Sequence, residues 1–199
     1  MNILIILAHP KPGSFNHAIA TTVQQALAQA GHTIDLRDLY AEGFDPLYST
    51  AELERGHAVP PQVRKHADLT LNADGIIVVH PNWWAQPPAI LTGWLDRVLR
   101  AGEAYRFGTN AAGEGIVMGL LKAQAALVLT TSNTPREAEL KHYGDPLDNL
   151  WKRCVFGFCG VERVERRNFE SIILSTPAQR EAWLQEAVQQ ALNLFPPQR

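Results

Sequence analysis

The chain has 199 residues, of which 46% are hydrophobic, enough for a substantial core without covalent staples and near the upper end of one ordinary domain. Eighteen basic against 20 acidic side chains leave a formal net charge of −2 with no polybasic run, which excludes a nucleic-acid or anionic-lipid partner and points to a small uncharged or locally anionic ligand. The only cysteines, Cys154 and Cys159, are spaced poorly for zinc or redox work and have no nearby histidines, so two buried structural thiols and no metal site are expected.

Met1 to Leu7 lacks the basic lead and small-residue cleavage site of a secretion signal, and is too short an apolar run to span a bilayer; no membrane insertion and a cytoplasmic location are expected. Ile3 to Ala8 reads as a strand covered on both faces. A helix follows, with Ile19, Val23, Ala26, Leu27 and Ala30 on one face and Gly31 placed to end it. Thr33 to Leu39 is a second strand, 40–60 a long surface excursion rich in turn formers, and 62–72 a short helix. Gly75 to Val79 is the third strand. Ile90, Leu91, Trp94, Leu95, Val98 and Leu99 then mark an amphipathic helix, and the Gly-rich stretch 102–119 is irregular or hairpin-like. Ala125 to Thr131 is the fourth strand, followed by a polar loop and a helix near 146–156. A fifth strand within 161–175 carries Glu162, Arg163, Glu165, Arg166 and Arg167, which suits an edge. Thr176-Pro177-Ala178-Gln179 opens the last helix with a capping threonine, proline at its first position and Leu184, Val188 and Leu192 inward.

Strands alternating with helices, each strand an apolar run, describe one α/β domain over 1–199: a doubly wound five-stranded parallel sheet with helices on both faces. Ligands bind such sheets outside the carboxyl ends of the strands, where the winding reverses. Three loops therefore matter. His9-Pro-Lys-Pro-Gly-Ser14-Phe15-Asn16 leads into a helix start, whose free N–H groups with Ser14 and Asn16 make a phosphate cradle; a plain helix cap at Ser14 is the alternative. Neither a Walker loop nor a dinucleotide glycine pattern is present. Pro81-Asn82-Trp83-Trp84 is stiffened by Pro81, Pro87 and Pro88 and offers an aromatic shelf for a flat ligand, or else one tryptophan covers a subunit interface. Thr130, Thr131, Ser132 and Asn133 supply donors and acceptors for the edge of a heteroaromatic ring, or form an ordinary polar turn. Cradle, shelf and polar rim together suit a flavin better than ATP, because no magnesium-binding carboxylate follows these strands. His17, His32, His57 and His66 have no ligand spacing and are expected as solvated surface residues.

These motifs resemble the flavodoxin-like NAD(P)H:quinone oxidoreductase family, the DT-diaphorase and modulator-of-drug-activity group, over nearly the whole chain. The likeness rests on Ile3-Leu-Ile-Ile-Leu-Ala-His9-Pro with Ser14-Phe15-Asn16, on Pro81-Asn82-Trp83-Trp84 and Pro88-Ala-Ile-Leu-Thr-Gly-Trp94-Leu-Asp-Arg-Val98, on Thr130-Thr131, on Tyr143-Gly144-Asp145 and on Phe158-Cys-Gly160. The resemblance implies the flavodoxin-like strand order 2-1-3-4-5 and a homodimer with a tightly bound flavin. It implies a ping-pong reaction, in which NADH or NADPH reduces the flavin and two electrons then pass to a quinone or similar aromatic acceptor. By position, His9, Ser14, Phe15 and Asn16 match the flavin-phosphate loop, Pro81, Asn82, Trp83 and Trp84 the segment along the ring, and Thr130, Thr131, Ser132 and Asn133 its polar edge. Tyr105 and Phe107 match aromatics that roof the pocket from the partner subunit. Tyr143 stands where the animal enzymes have a histidine, and with His142 is expected to hydrogen-bond substrate or reduced flavin. FMN and FAD both stay open: Arg180 falls near a family arginine beside the adenosine part of FAD, while the short chain is similar to FMN-containing bacterial relatives. A flavodoxin-like electron carrier and a regulatory subunit of a potassium-efflux system are the alternatives.

Overall fold

The computed structural model describes residues 1–54 and 56–197. In chain order its elements are β1 (Asn2–Leu7), α1 (Phe15–Gln29), β2 (Thr33–Asp38), α2 (Pro61–Asn72), β3 (Gly75–Pro81) and α3 (Ala89–Val98). A hairpin of β4 (Tyr105–Thr109) and β5 (Gly115–Gly119) follows, then β6 (Ala125–Thr131), α4 (Arg136–Tyr143), α5 (Pro146–Asn149, continued by π-helical turns over Leu150–Gly157), β7 (Arg163–Phe169) and α6 (Pro177–Leu194). Five strands pair in the order β2-β1-β3-β6-β7, all in parallel register, with β7 at an edge. Counted within the sheet this is 2-1-3-4-5, so the winding reverses between β1 and β3.

The alternation along the strands explains the layering. Leu4, Ile6, Ile76, Val78, Ala126 and Val128 face α2, α3 and α5, where they meet Val63, Leu91, Trp94 and Trp151. Ile3, Ile5, Ile77, Val79, Leu127 and Leu129 face α1 and α6, where they meet Val23, Leu27, Trp183 and Ala187. Each fully buried aliphatic side chain contributes about 1.5–3 kcal/mol relative to exposure, so these strands, apolar on both sides, fix the sheet. Gly31 adopts φ +87° just past α1, as a helix stop requires, and Thr176 caps α6 by accepting from the Gln179 N–H at 3.2 Å. Among the described residues no helix is long and apolar enough to cross a membrane.

Four expectations need correction. The polar stretch after β6 contains a helix, α4, which has no apolar stripe and ends at Gly144 with φ +69°. Cys154 is exposed; only Cys159 is buried, and burial pushes its thiol up to about 11. His66 and His32 are buried rather than solvated, and His17 is half-buried. His66 is held between two partners, its Nε2 at 2.9 Å from Glu42 and its Nδ1 accepting from the Trp94 indole N–H at 3.0 Å. The excursion 40–60 is pinned from within: the buried Arg97 on α3 donates to both oxygens of the buried Glu52 at 3.0 Å and to the Asp45 carbonyl. Burial alone would raise the Glu52 carboxyl, but hydrogen bonds from the Ser49 N–H and hydroxyl and from Arg97 hold it below the usual carboxylate range. A Cβ on Gly93 would lie 2.2 Å from the Pro46 carbonyl oxygen, so only glycine lets α3 approach this excursion.

Candidate functional site

Two cavities open above the carboxyl ends of β1, β3 and β6, and Asn82 borders both. The first, about 360 Å³, is a crevice at the start of α1. It brings together His9, Ser14, Phe15 and Asn16 from the loop after β1, Pro81, Asn82 and Trp83 from the loop after β3, and Thr131, Ser132 and Asn133 from the loop after β6. Residues from three loops far apart in sequence meet here because parallel strands end on the same side of the sheet. Lys11, Gly13, Ile172 and Arg180 also line it.

Ser14 is the helix cap that the sequence offered as one of its two readings. Its hydroxyl caps α1 by accepting from the His17 N–H at 3.4 Å, and the residue lines the crevice. Asn16 is 2% exposed, and its Nδ2 donates to Thr131 Oγ1 at 2.9 Å, which ties the first loop to the third and leaves Asn16 Oδ1 with no partner. Asn82 Oδ1 is likewise unpartnered, while its Nδ2 donates to Glu139 at 2.8 Å. Buried polar atoms without partners are rare, and two at one crevice mark hydrogen-bonding capacity left for a bound molecule. Phe15 borders the crevice while its ring packs edge-on against Phe169, with centroids 6.3 Å apart. His9 Nδ1 accepts from the Lys11 N–H at 3.1 Å, and burial lowers the imidazole below its ordinary value.

Thr130 takes a supporting place beneath the crevice. It is fully buried, donates to Asn168 Oδ1 at 2.9 Å, and Asn168 in turn donates to Ser132 Oγ at 2.9 Å. Asn133 Oδ1 accepts from the Ile173 N–H at 3.1 Å, fixing the last loop against the chain after β7.

The second cavity, also about 360 Å³, is lined by Asn82, Trp84, Ala85, Thr134, Glu139 and Tyr143. Its wall is a two-residue turn: Trp83 and Gln86 exchange N–H to carbonyl bonds at 3.1 and 3.0 Å, with Trp84 and Ala85 at φ +55° and +57°. Positive φ at both central residues makes this a type I′ turn, a conformation that favours asparagine and glycine and costs about 1–2 kcal/mol for each other residue. The turn thrusts the Trp84 indole into solvent, 94% exposed, whereas Trp83 is 41% exposed and 6.1 Å from the His9 ring. Glu139 and Tyr143 stand one helical turn apart on α4 and reach the same cavity. His142 is beside Tyr143, ring centroids 6.1 Å apart, but does not line it. Tyr105 and Phe107 lie on the hairpin away from both cavities; Tyr105 packs on Phe158 at 4.9 Å, and Phe107 is 70% exposed.

Beneath the Trp loop, His80 is fully buried and neutral. Its Nδ1–H donates to the Pro81 carbonyl at 2.8 Å and its Nε2 accepts from the Trp151 indole at 3.0 Å. Burial lowers the imidazole to about 4, against a smaller upward pull from the Pro81 bond. Nothing in the sequence pointed to Glu139, because the helix that carries it lacks an apolar face. Lys11, in the loop at a helix start, could have been found from its charge alone.

A family model described as flavodoxin-like fold matches residues 1–195. The chain is 35% identical over 196 residues to a Haemophilus influenzae protein named as an uncharacterized NAD(P)H oxidoreductase, covering 95% of this chain and 93% of that one. It is 30% identical over 184 residues to NAD(P)H dehydrogenase [quinone] 1 of Cavia porcellus, covering 81% of this chain and 66% of the longer relative. The solved NAD(P)H:quinone oxidoreductase from Methanothermobacter marburgensis superposes with a TM-score of 0.81 at 26% identity, covering 100% of this chain and 99% of that one.

Proposed function

The chain belongs to the flavodoxin-like fold family, among its NAD(P)H:quinone oxidoreductases, and we propose that it transfers two electrons from NADH or NADPH, through a bound flavin, to quinones or similar aromatic acceptors. The observation that carries this reading is the pair of unpartnered amide oxygens, on Asn16 and Asn82, at a crevice that begins on a helix N-terminus and ends on a tryptophan turn. The donor set fits a flavin. The start of α1 offers free N–H groups and partial positive charge to a phosphate, with the Ser14 hydroxyl and the Lys11 and Arg180 cations on the same walls. Pro81, Asn82 and Trp83 would lie along the ring, and Thr131, Ser132 and Asn133 at its polar edge, with Thr130 supporting them from below. Arg180 is itself oriented, donating to Ser175 Oγ at 2.7 Å and to the Ile172 carbonyl at 3.2 Å. FMN and FAD both satisfy this arrangement; chromatography of the flavin released on denaturation separates them.

Bound flavin supplies the hydride chemistry, so the protein needs no strong acid or base of its own. Its residues bind, orient and exclude water. Asn82, held by Glu139, joins the crevice to the second cavity, where Trp84 and Tyr143 would flank the nicotinamide and afterwards the acceptor. At about 360 Å³ that cavity is near the lower limit for a drug-sized ligand. It therefore takes one planar ring at a time, which favours the ping-pong order. Tyr143 would donate a hydrogen bond to the bound ring, with His142 packed beside it outside the lining.

The cavity is open on the Trp84 side. The hairpin and its surroundings expose Phe107, Val117, Met118 and Phe158. A homodimer that covers this apolar face would bring the partner's hairpin, with its aromatics, over the open side. Anaerobic mixing with NADPH tests the enzymatic reading: rapid bleaching of the yellow chromophore supports it, while a flavin reduced only by a protein donor would make the chain an electron carrier instead.

A further inference from the structure

At the start of α1, the side chains of its cap Ser14 and of His17 form an unbroken relay with Asp38 at the end of β2. The Ser14 hydroxyl is 2.8 Å from His17 Nδ1, and His17 Nε2 is 3.1 Å from Asp38 Oδ2. Asp38 sits at the end of β2, and its other oxygen accepts from the Tyr40 and Ala41 N–H groups, both at 3.1 Å, so the carboxylate is fixed as an acceptor. A carboxylate can only accept, so His17 Nε2 must carry hydrogen. The state of His17 then decides what Ser14 can offer. With neutral His17, Nδ1 is a lone pair and the Ser14 hydroxyl hydrogen is spent on it. The crevice then meets only oxygen lone pairs at Ser14. With protonated His17, Nδ1–H donates to Ser14 Oγ, and the hydroxyl hydrogen turns free toward an anion.

We propose that His17, clamped by Asp38, is a proton-linked positioning residue for the phosphate, so that binding a phosphorylated flavin draws one proton onto His17 and releases the Ser14 hydroxyl as a donor. The proposal rests on the flavin reading above. It has a second support in the buried Asn16, whose unpartnered oxygen sits at the same helix start and in the same crevice. The charged or titratable groups beside His17 are Asp38 from β2 and, from the loop after β1, His9, edge-on with ring centroids 6.2 Å apart; Lys11 in turn bears on His9. Burial keeps His9 below its ordinary value, and of the two histidines His17 is the one with a carboxylate beside it. The relay makes the site a sensor of ligand charge: it discriminates a phosphate ester from the same ring without one, and weakens its hold on the ester as the solution becomes alkaline.

Calorimetric titration of the flavin-free protein with FMN and with riboflavin, in buffers of different ionisation enthalpy, tests this. FMN should bind with proton uptake and riboflavin without it. His17→Gln and Asp38→Asn should lose the uptake, since any contribution from the ionisation of FMN itself is common to all three proteins. Where His17 of the free protein is neutral, FMN affinity should fall by up to about tenfold per pH unit, the limit for a single linked proton, and the His17→Gln profile should be flatter. Equal uptake and equal pH profiles in the wild-type and His17→Gln proteins would overturn the proposal while leaving the phosphate cradle intact. Equal affinity for FMN and riboflavin, or binding of neither, would remove the cradle and the relay with it. Should either variant fail to fold, NMR of isotope-labelled histidine in the wild-type protein reads the same event, as conversion of the His17 ring to imidazolium on adding FMN; an unchanged ring would refute it.

Discussion

The two ends of the site are built differently. At the proposed phosphate end, the side chains brought together are tied to one another: Asn16 to Thr131, Ser14 to His17 and on to Asp38, Ser132 to Asn168. At the ring end, the wall is a strained two-residue turn whose tryptophan stands 94% exposed, facing a helix with a single buried residue. The difference teaches that the first cavity is preorganised by the chain itself, while the second is left more open; on the proposed reading a bound ring and a second copy of the chain would complete it. Preorganisation reduces the ordering cost of binding, so the tail should govern affinity and the turn should govern turnover.

Several substitutions would break or sharpen this contrast. Ser14→Asp keeps a good helix cap but sets a carboxylate against the phosphate; an unpaired repulsive charge costs about 3–5 kcal/mol. Flavin binding should weaken about a hundredfold or more, with the thermal midpoint little changed. A comparable loss at Trp84, with none at Ser14, would invert the comparison. Acid should attack the ring end first. The unfolded chain protonates His80 near 6.5, whereas the folded protein resists until about 4, so the unfolded state binds more protons in that window and stability falls as pH drops through it, by up to about 3 kcal/mol. Denaturant titrations at pH 7 and pH 4.5, wild type against His80→Gln, measure this; an equal pH dependence in both proteins would show that His80 is not the source.

Trp84→Ala should lower kcat/KM for NADPH or quinone by about tenfold, roughly the 1.4 kcal/mol of one lost aromatic contact, while flavin affinity moves little. Ala85→Gly, at a φ of +57°, should relieve backbone strain and stabilise the protein by about 1 kcal/mol in chemical denaturation; destabilisation would mean that the methyl group packs against something that matters. Tyr143→Phe should give the smallest effect, a few-fold slowing of one half-reaction in stopped-flow mixing, since it removes one neutral hydrogen bond of about 1 kcal/mol. No change in either half-reaction would leave Tyr143 as a wall only.

What could be read beforehand follows the same division. The five sheet strands and α1, α3 and α6 were legible because each carries local periodicity: β3 and β6 are buried at every position, and the caps of α1 and α6 lie in the chain beside them. That His9, Ser14, Phe15 and Asn16 would line one crevice was legible for the same reason, as strand, polar loop and helix cap are contiguous. Long-range polar pairs were not. His66 read as a solvated surface residue and His80 drew no reading at all, because the groups that hold them, Trp94, 28 residues away, and Trp151, 71 residues away, are distant in the chain. The Arg97–Glu52 pair joins residues 45 apart. Glu139 escaped notice because α4, with Arg136, Glu137, Lys141 and His142 among its eight residues, carries no apolar stripe, only a glycine stop that turns suggest equally well.

Titration of the flavin-free protein with FMN and with FAD, followed by quenching of flavin fluorescence, addresses the central claim most directly. One of the two should bind at one equivalent per chain, with fluorescence quenched by the adjoining indole and with Trp83→Leu restoring part of the emission. A protein that purifies colourless and leaves the fluorescence of both flavins unchanged would contradict the assignment of this crevice to a phosphorylated isoalloxazine.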